Sequence, residues 1–189
     1  LSDNLLKQLS RIEKEAHQID DMIEQVLRLS RLEANVMVEK KQKMKIASLL
    51  ESTIDDGLFE AQNLNIEIQV TDFPDVEITC YPNLFVSAIH NVLSNALKYC
   101  STKVQVSFEA RDLTLVVCVE DDGGGVPESD LDAMFEPFYR LWASRSRDSG
   151  GVGLGLAIVK QAINLHEGNV TATKAELGGL CVKITVPLN

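Results

Sequence analysis

The stretch Asn91-Val-Leu-Ser-Asn95-Ala-Leu-Lys98-Tyr99 places two asparagines and a lysine at helical spacing beside an apolar side. At about 100° per residue, the three polar side chains fall within roughly 60° of one another on a helix. Asparagine is a poor helix former, so two of them one turn apart need a reason. Amide oxygens suit Mg²⁺, and a lysine adds a point charge for a phosphate. A solvated polar face is an equally good explanation of this helix alone.

An acidic, glycine-rich turn follows the apolar strand that the sequence predicts over residues 113–119. It is Glu120-Asp-Asp-Gly-Gly-Gly-Val-Pro127. A strand that ends in carboxylates and then Gly-x-Gly lets the backbone approach a ligand closely. A carboxylate there can accept the amino hydrogens of a purine. The same residues also make a good hairpin turn, and both interpretations stand at this point.

A second glycine-rich run, Gly150-Gly-Val-Gly-Leu-Gly-Leu156, opens a helix predicted over residues 154–166. Free backbone N–H groups at a helix start cradle phosphate oxygens. The run is not a dinucleotide fingerprint, because a long polar loop rather than a strand precedes it. It is not a Walker loop either, because no Lys-Ser/Thr follows its last glycine. Phosphate binding and a plain flexible loop are both compatible with it.

In this order and spacing, the three segments resemble the ATP-binding fold of sensor histidine kinases, which gyrase, one class of heat-shock chaperones and MutL share. Residues 91–99 look like the family's N box, 121–125 like its first glycine box and 151–156 like its second. Phe135-Glu-Pro-Phe138-Tyr-Arg140 resembles the F box, which the other branches lack in this form. The resemblance covers residues 45–189, and the sequence as a whole is similar to the Cpx-type envelope-stress sensors.

The sequence predicts helices over about 47–63, 82–99 (opened by Pro82) and 154–166, and a short helix near 128–135. Predicted strands include 104–108, 113–119, 169–174 and 180–186, the last two joined at Gly178-Gly179. These elements fit an α+β protein in which hairpin strands dominate, because strict strand–helix–strand repeats are missing. The resemblance implies a two-layer α/β sandwich, the Bergerat or GHKL fold, with a mixed, mostly antiparallel sheet covered on one face by helices. It divides the chain into a partial dimerisation helix and linker over residues 1–44 and a catalytic ATP-binding domain over residues 45–189.

The resemblance also implies ATP and Mg²⁺ as cofactors. Asn95 would coordinate Mg²⁺ with help from Asn91, and Asp121 would read the adenine amino group. Val152 departs from the family pattern, because many relatives carry a polar residue there and a valine side chain cannot hydrogen-bond a phosphate. The other implied nucleotide contacts come from the four boxes and from a lid over residues 140–152: Lys98, Tyr99, Gly123, Gly125, Val126, Phe138, Arg140, Arg145, Arg147, Gly151, Gly153, Leu154, Gly155 and Leu156.

A long amphipathic helix is predicted ahead of this domain, because the first 56 residues contain neither glycine nor proline. Its apolar or small residues alternate in steps of four and three, the seam of a coiled coil or bundle. A lone helix cannot bury such a stripe, so the sequence predicts a partner, most simply a second copy. The seam positions are Leu5, Leu9, Ile12, Ala16, Ile19, Ile23, Val26 and Ser30.

None of the three histidines has the sequence context of a phosphoacceptor. His17 is expected on a helix surface, His90 beside the N box, and His166 at a helix end where positive charge is favoured. We therefore expect this chain to bind ATP without phosphorylating itself. By the resemblance, the γ-phosphoryl would pass to a histidine of the dimerisation domain and then to an aspartate of a response regulator.

The net charge of −10 argues against a general affinity for nucleic acid. Residues 51–136 hold 17 acids and three bases, whereas residues 137–189 hold six bases and three acids, so the basic segment is predicted to meet an anion. Four cysteines without CxxC spacing indicate reduced thiols rather than a zinc site.

No stretch is apolar enough to span a membrane, and the chain begins at Leu1, so we expect an excised fragment. The resemblance implies the cytoplasmic domain of an inner-membrane sensor, itself without membrane contact. Two rival functions are a clamp-type ATPase of the same fold and a dimeric interaction module whose nucleotide pocket has decayed. The F box and the heptad helix count against the first, and intact Asn95 and Asp121 count against the second.

Overall fold

The computed structural model describes residues 3–34, 39–141 and 152–188. Its helices are α1 (Asp3–Glu33), α2 (Ile46–Leu64), α3 (Pro82–Tyr99) and α4 (Gly155–Leu165). Its strands are β1 (Gln42–Lys45), β2 (Glu67–Val70), β3 (Glu77–Cys80), β4 (Lys103–Arg111), β5 (Thr114–Asp121), β6 (Asn169–Lys174) and β7 (Leu180–Pro187). The short helix expected near residues 128–135 is instead two 3₁₀ turns, Glu128–Asp130 and Ala133–Phe135.

Five strands form one sheet in the order β2-β4-β5-β7-β6, and β1 pairs with β3 in a separate two-stranded ribbon. The β2–β4 pair is parallel, and the β4–β5, β5–β7 and β6–β7 pairs are antiparallel. The predicted mixed, mostly antiparallel sheet is therefore confirmed. The central strand β5 alternates buried and half-buried residues along its whole length, which is the pattern of a sheet covered on one face.

The core lies between that covered face and the helices α2, α3 and α4. Each helix buries one apolar stripe, as the periodicity of its sequence predicts. Proline at the start of α3 is favourable because its missing N–H would have no partner inside the helix. Among the largest fully buried side chains are Leu50, Phe85, Ile89, Leu115, Ile158 and Ile184.

In the described part of the chain, the last turns of the first helix pack on this body. Leu29 and Leu32 are buried, and Gln161 of α4 donates a long hydrogen bond of 3.5 Å to the Leu32 carbonyl. Further towards the N-terminus of α1, apolar side chains lie open to solvent: Leu9, Ile12, Ile19, Met22, Ile23, Val26 and Leu27. Among the described helices, none has a stretch both long and apolar enough to cross a bilayer.

Glu39 caps helix α3 from 44 residues away in sequence. The residue at the N-cap position, Tyr81, makes no side-chain capping bond. The Glu39 carboxylate instead accepts hydrogen bonds from the backbone N–H of Asn83 (3.3 Å) and of Leu84 (3.1 Å), and from the Asn83 side chain (3.0 Å). The segment between α1 and β1 thus satisfies donors that a helix start otherwise leaves open.

We expect Glu39→Ala to lower the free energy of unfolding by about 1 kcal/mol, because it removes a helix cap and a favourable negative charge. Urea denaturation followed by circular dichroism measures the change. Glu39→Gln keeps the acceptor oxygen and should lose less. Equal stability of wild type and Glu39→Ala would contradict the capping role.

His166 is buried, and the prediction that it carries positive charge at the helix end is wrong. Its Nε2 accepts a hydrogen bond from the backbone N–H of Tyr81 (2.9 Å), while Nδ1 lies 2.7 Å from the Ala162 carbonyl. This pairing assigns the proton to Nδ1 of a neutral ring, because Nε2 must accept. Burial lowers the pKa of His166, and Lys41 adds to the effect, whereas Glu39 and the hydrogen bond to Ala162 oppose it.

Stability should therefore fall as the pH is lowered through about 6.5, the ordinary histidine pKa. Below that pH the unfolded chain takes up a proton that folded His166 still excludes, which favours unfolding. The difference between wild type and His166→Gln, measured by urea denaturation at several pH values, isolates this contribution. His90→Gln, at an exposed position on α3, is the matched histidine substitution, and a difference between wild type and His90→Gln with the same pH dependence would contradict the role of His166.

Candidate functional site

Asp121, the last residue of β5, is buried, with 4% of its surface exposed. Its Oδ1 accepts hydrogen bonds from the backbone N–H groups of Gly123 (2.8 Å) and Leu180 (3.3 Å). Desolvation raises the pKa of Asp121, and these two bonds oppose the rise. Oδ2 takes no hydrogen bond from the described residues. Since every fully shielded polar side-chain atom among them has a partner, Oδ2 faces accessible space and can accept a donor from a ligand.

The neighbouring carboxylate, Asp122, has a different role. It accepts hydrogen bonds from the backbone N–H groups of Ser101, Thr102 and Lys103 and from the Thr102 hydroxyl. Desolvation would raise the pKa of Asp122, but these bonds outweigh it and hold the pKa well below the ordinary value. Asp122 therefore fixes the turn between α3 and β4 to the end of β5, and Asp121 is the carboxylate left for a ligand.

Gly123 lets the acidic turn lie directly on the end of α3. A Cβ at this position would lie 2.1 Å from the Tyr99 carbonyl oxygen and 2.9 Å from Oδ1 of Asp121. Gly125 has φ +68°, in the left-handed region that glycine tolerates best. Next to it, Val126 is half-buried. The first glycine box and the end of the N box are thus in backbone contact.

Gly179 completes the surroundings of Asp121, and sequence reasoning assigned it only to a hairpin. Its N–H donates to the Asp121 carbonyl at 3.1 Å. A Cβ at Gly179 would lie 2.2 Å from Oδ1 of Asp121 and 2.5 Å from the Gly123 nitrogen. The Gly178-Gly179 pair is visible in the sequence. The contact of Gly179 with Asp121, 58 residues away, depends on the pairing of β5 with β7.

Asn91 and Asn95 lie on α3 as expected, with half-buried side chains. Neither side chain hydrogen-bonds to another described residue, so both amides remain available. A Cβ built on Gly155 would lie 3.8 Å from Oδ1 of Asn91, which brings the N box against the start of α4. Lys98 and Tyr99 are exposed at the end of α3, with the Lys98 Nζ 5.3 Å from the centre of the Tyr99 ring.

The second glycine box touches the F box. The Phe138 N–H donates to the Gly153 carbonyl at 2.9 Å. Gly153 has φ +80°, and a Cβ there would lie 2.6 Å from the Tyr139 carbonyl and 3.2 Å from Cγ of Arg140. Phe138, at φ +64°, remains 60% exposed. In the F box, Glu136 forms an ion pair with Lys160 of α4 at 2.9 Å.

Around the start of α4, Leu154 is fully buried and Leu156 is half-buried. Val152 packs against the core with part of its surface exposed, which is a packing reason for an apolar residue there. The N–H groups of the first turn have no partner inside the helix and can donate to an anion. Arg145, Arg147 and Gly151 lie outside the described residues.

These contacts place an accessible carboxylate near the end of α3, and two unpaired amides earlier in the same helix, where Asn91 lies beside a glycine-rich helix start. No group of three or more His, Cys, Asp or Glu side chains that could hold a metal occurs in the described part of the chain. The amides of Asn91 and Asn95 fit Mg²⁺, which takes few protein ligands beside the oxygens of a nucleotide and water.

The fold and this arrangement define a nucleotide-binding domain of the two-layer type. Residues 80–189 match the family model "Histidine kinase-, DNA gyrase B-, and HSP90-like ATPase", and the chain belongs to that family. It is 40% identical over 185 residues to the sensor histidine kinase CpxA of Escherichia coli K12, covering 96% of this chain and 40% of that protein. The chain thus spans well under half the length of this relative.

Solved structures agree with the fold. The mycobacterial sensor histidine kinase MprB aligns over 78% of this chain and 97% of its own, with a TM-score of 0.67 and 26% identity. Full-length ShkA, solved in complex with AMPPNP, aligns over 99% of this chain and 39% of its own, with a TM-score of 0.80 and 23% identity. The second alignment includes α1, so the helix and the body occur together in that fold.

Proposed function

We propose that this chain is the ATP-binding kinase core of a sensor histidine kinase and transfers the γ-phosphoryl group of ATP to a histidine of a dimerisation domain. The observation that carries the proposal is a series of contacts that links four separate segments along α3: Asp121 with Gly179, Gly123 with Tyr99, and Gly155 with Asn91. The 40% identity to a protein named a sensor histidine kinase supports the kinase over a clamp-type ATPase.

The proposed roles follow from the chemistry of each group. Asp121 accepts the adenine amino hydrogens at Oδ2, while Gly123 and Leu180 hold the carboxylate in place through Oδ1. The N–H groups at the start of α4 hold phosphate oxygens. Asn95 and Asn91 hold Mg²⁺, which when bound neutralises phosphate charge. Positioning and charge neutralisation supply most of the rate of phosphoryl transfer.

Further residues around Asp121 and the start of α4 are proposed to contact the nucleotide. Lys98 and Arg140 supply positive charge, and Tyr99 and Phe138 supply exposed aromatic surface. Arg145, Arg147 and Gly151 are proposed as part of the lid over residues 140–152. Gly125, Val126, Val152, Gly153, Leu154 and Leu156 are proposed as backbone or wall contacts.

We also propose that residues 1–44 and 45–189 act as separate units, the first pairing with a second copy through α1. The apolar residues of α1 that lie open to solvent support this pairing, because an exposed apolar stripe of this length usually marks a protein interface. The phosphoryl group is then relayed to an aspartate of a response regulator. The domain works on the cytoplasmic side of an inner-membrane sensor and does not autophosphorylate without an added acceptor histidine.

Calorimetric titration with ATP, with and without Mg²⁺, tests the nucleotide site. Saturable binding that strengthens with Mg²⁺ and is lost in Asp121→Asn is the expected result.

A second experiment adds a separately purified dimerisation domain carrying an acceptor histidine and follows transfer of labelled γ-phosphate. ATP hydrolysis without any transfer would favour the clamp-type ATPase, and no binding at all would favour a decayed pocket.

A further inference from the structure

Two cysteines lie side by side on the sheet face opposite the helices. Cys118 is half-buried and lies on the same face of β5 as Val116 and Glu120. In the β5–β7 register, Cys118 is opposite Lys183 and Glu120 is opposite Cys181. Cys118 and Cys181 are therefore diagonal neighbours on the same face of the sheet.

The surroundings of the two thiols differ in charge. Cys118 is flanked in register by Lys183 on β7 and Ser107 on β4. Cys181 is flanked by the carboxylate of Glu120 and by Thr173 on β6. A cation stabilises a thiolate and a carboxylate opposes one. The asymmetry selects Cys118 as the ionising thiol of the pair.

The acidities agree with this geometry. The hydrogen bond from Cys181, together with Lys183 and Ser107, lowers the pKa of Cys118 to about 7 against the effects of burial and Glu120. The pKa of Cys181 is raised by the same hydrogen bond and by its burial. Elsewhere in the described chain, burial raises the pKa of Cys80 to about 11 and also raises that of Cys100.

We propose that Cys118 and Cys181 form a redox-active thiol pair that reacts with peroxides and other soft electrophiles, with Cys118 as the nucleophile and Cys181 as the resolving thiol. The Cys118 thiolate attacks one peroxide oxygen, so that the O–O bond breaks, Cys118 becomes a sulfenic acid and hydroxide leaves. The Cys181 sulfur then loses its proton and attacks the Cys118 sulfur. The S–S bond forms, the S–OH bond breaks, and the departing hydroxide takes up the proton as water.

The disulfide formed here is readily reversible. Diagonal partners on antiparallel strands ordinarily have Cα atoms about 7–8 Å apart, slightly beyond the usual span of a disulfide. Closure thus shifts β5 against β7, and a strained bond is easily reduced. The shift lies three residues from Asp121 on β5 and adjoins Leu180, whose N–H donates to Asp121.

The test uses the whole chain and does not depend on nucleotide binding. Iodoacetamide at neutral pH, followed by peptide mass spectrometry, should label Cys118 at least tenfold faster than Cys100, another half-buried thiol and the internal control. Lys183→Met should slow labelling of Cys118 several-fold, whereas Lys174→Met, on the exposed strand β6, should not. Equal labelling rates of Cys118 and Cys100 in the wild type would overturn the proposal.

Hydrogen peroxide tests the second step. The wild-type chain should lose two hydrogens and yield a peptide pair joined through Cys118 and Cys181, which dithiothreitol separates. Cys181→Ser should stop at the sulfenic acid, trapped on Cys118 by a cyclic 1,3-diketone, and Cys118→Ser should give neither product. A disulfide through Cys80 or Cys100, or no diketone adduct in Cys181→Ser, would refute the pair. Wild-type labelling stays decisive even if a variant folds poorly.

Discussion

Replacing Asn95 by alanine is expected to weaken Mg·ATP binding by at least about 100-fold, or roughly 2.7 kcal/mol. The amide oxygen is one of few protein ligands proposed for Mg²⁺, which tolerates little departure from octahedral coordination. In excess EDTA, wild type and variant should bind ATP equally weakly, because the lost group acts through the metal. Calorimetric titration in the two buffers measures both affinities.

Ser94→Ala is the matched control for this experiment. Ser94 is the preceding residue of α3 and is also half-buried, so the control makes a similar change in the same helix. Both variants should fold at least as stably as wild type, because alanine is the better helix former. An Asn95→Ala protein whose Mg·ATP affinity matches that of Ser94→Ala would remove Asn95 from the metal site.

Gly123→Ala is expected to lower the free energy of unfolding by about 2–3 kcal/mol, because the added methyl group overpacks a rigid contact. Its Cβ would lie 2.1 Å from the Tyr99 carbonyl oxygen and 3.0 Å from the carbonyl carbon. That carbonyl cannot move away without displacing the end of α3. Since Asp121 Oδ1 is bonded to the Gly123 N–H, ATP affinity should fall as well. Urea denaturation and calorimetric titration measure the two effects.

The next residue provides the control. A Cβ at Gly124 would meet no atom within 4 Å, so Gly124→Ala should change stability by no more than about 0.5 kcal/mol. Both substitutions lower the entropy of the unfolded chain alike. Their difference therefore reports the contact with Tyr99. Equal stabilities of the two variants would contradict the close packing of the turn on α3.

Local patterns predicted the secondary structure well where periodicity was strong. Proline at the start and a continuous apolar stripe placed α3 at residues 82–99, and the alternation of apolar residues placed β6 and β7. The prediction failed at residues 128–135, because a short segment with little apolar periodicity holds only single 3₁₀ turns. It also failed for the charge of His166, because burial depends on what packs over the helix end.

The chemistry of the candidate site was predictable from residue types, but the separate roles of its residues were not. Asp121 and Asp122 are chemically identical neighbours. Because side chains alternate along β5, Asp121 points towards the helices. Asp122 follows the strand and fixes the turn before β4. Gly179 showed only turn chemistry in the sequence, since its contact with Asp121 depends on strand pairing across 58 residues.

By itself, the sequence determined the amphipathic helices, the strands, the glycine turns and the family resemblance, because each depends on residues close together in the chain. The tertiary structure alone decided which remote groups meet. It placed Glu39 at the start of α3, Tyr81 on the His166 ring, and Cys118 beside Lys183 and Cys181. Such contacts depend on strand register and helix docking, which minimise the exposed apolar area of the whole chain. No short segment of the sequence therefore predicts them.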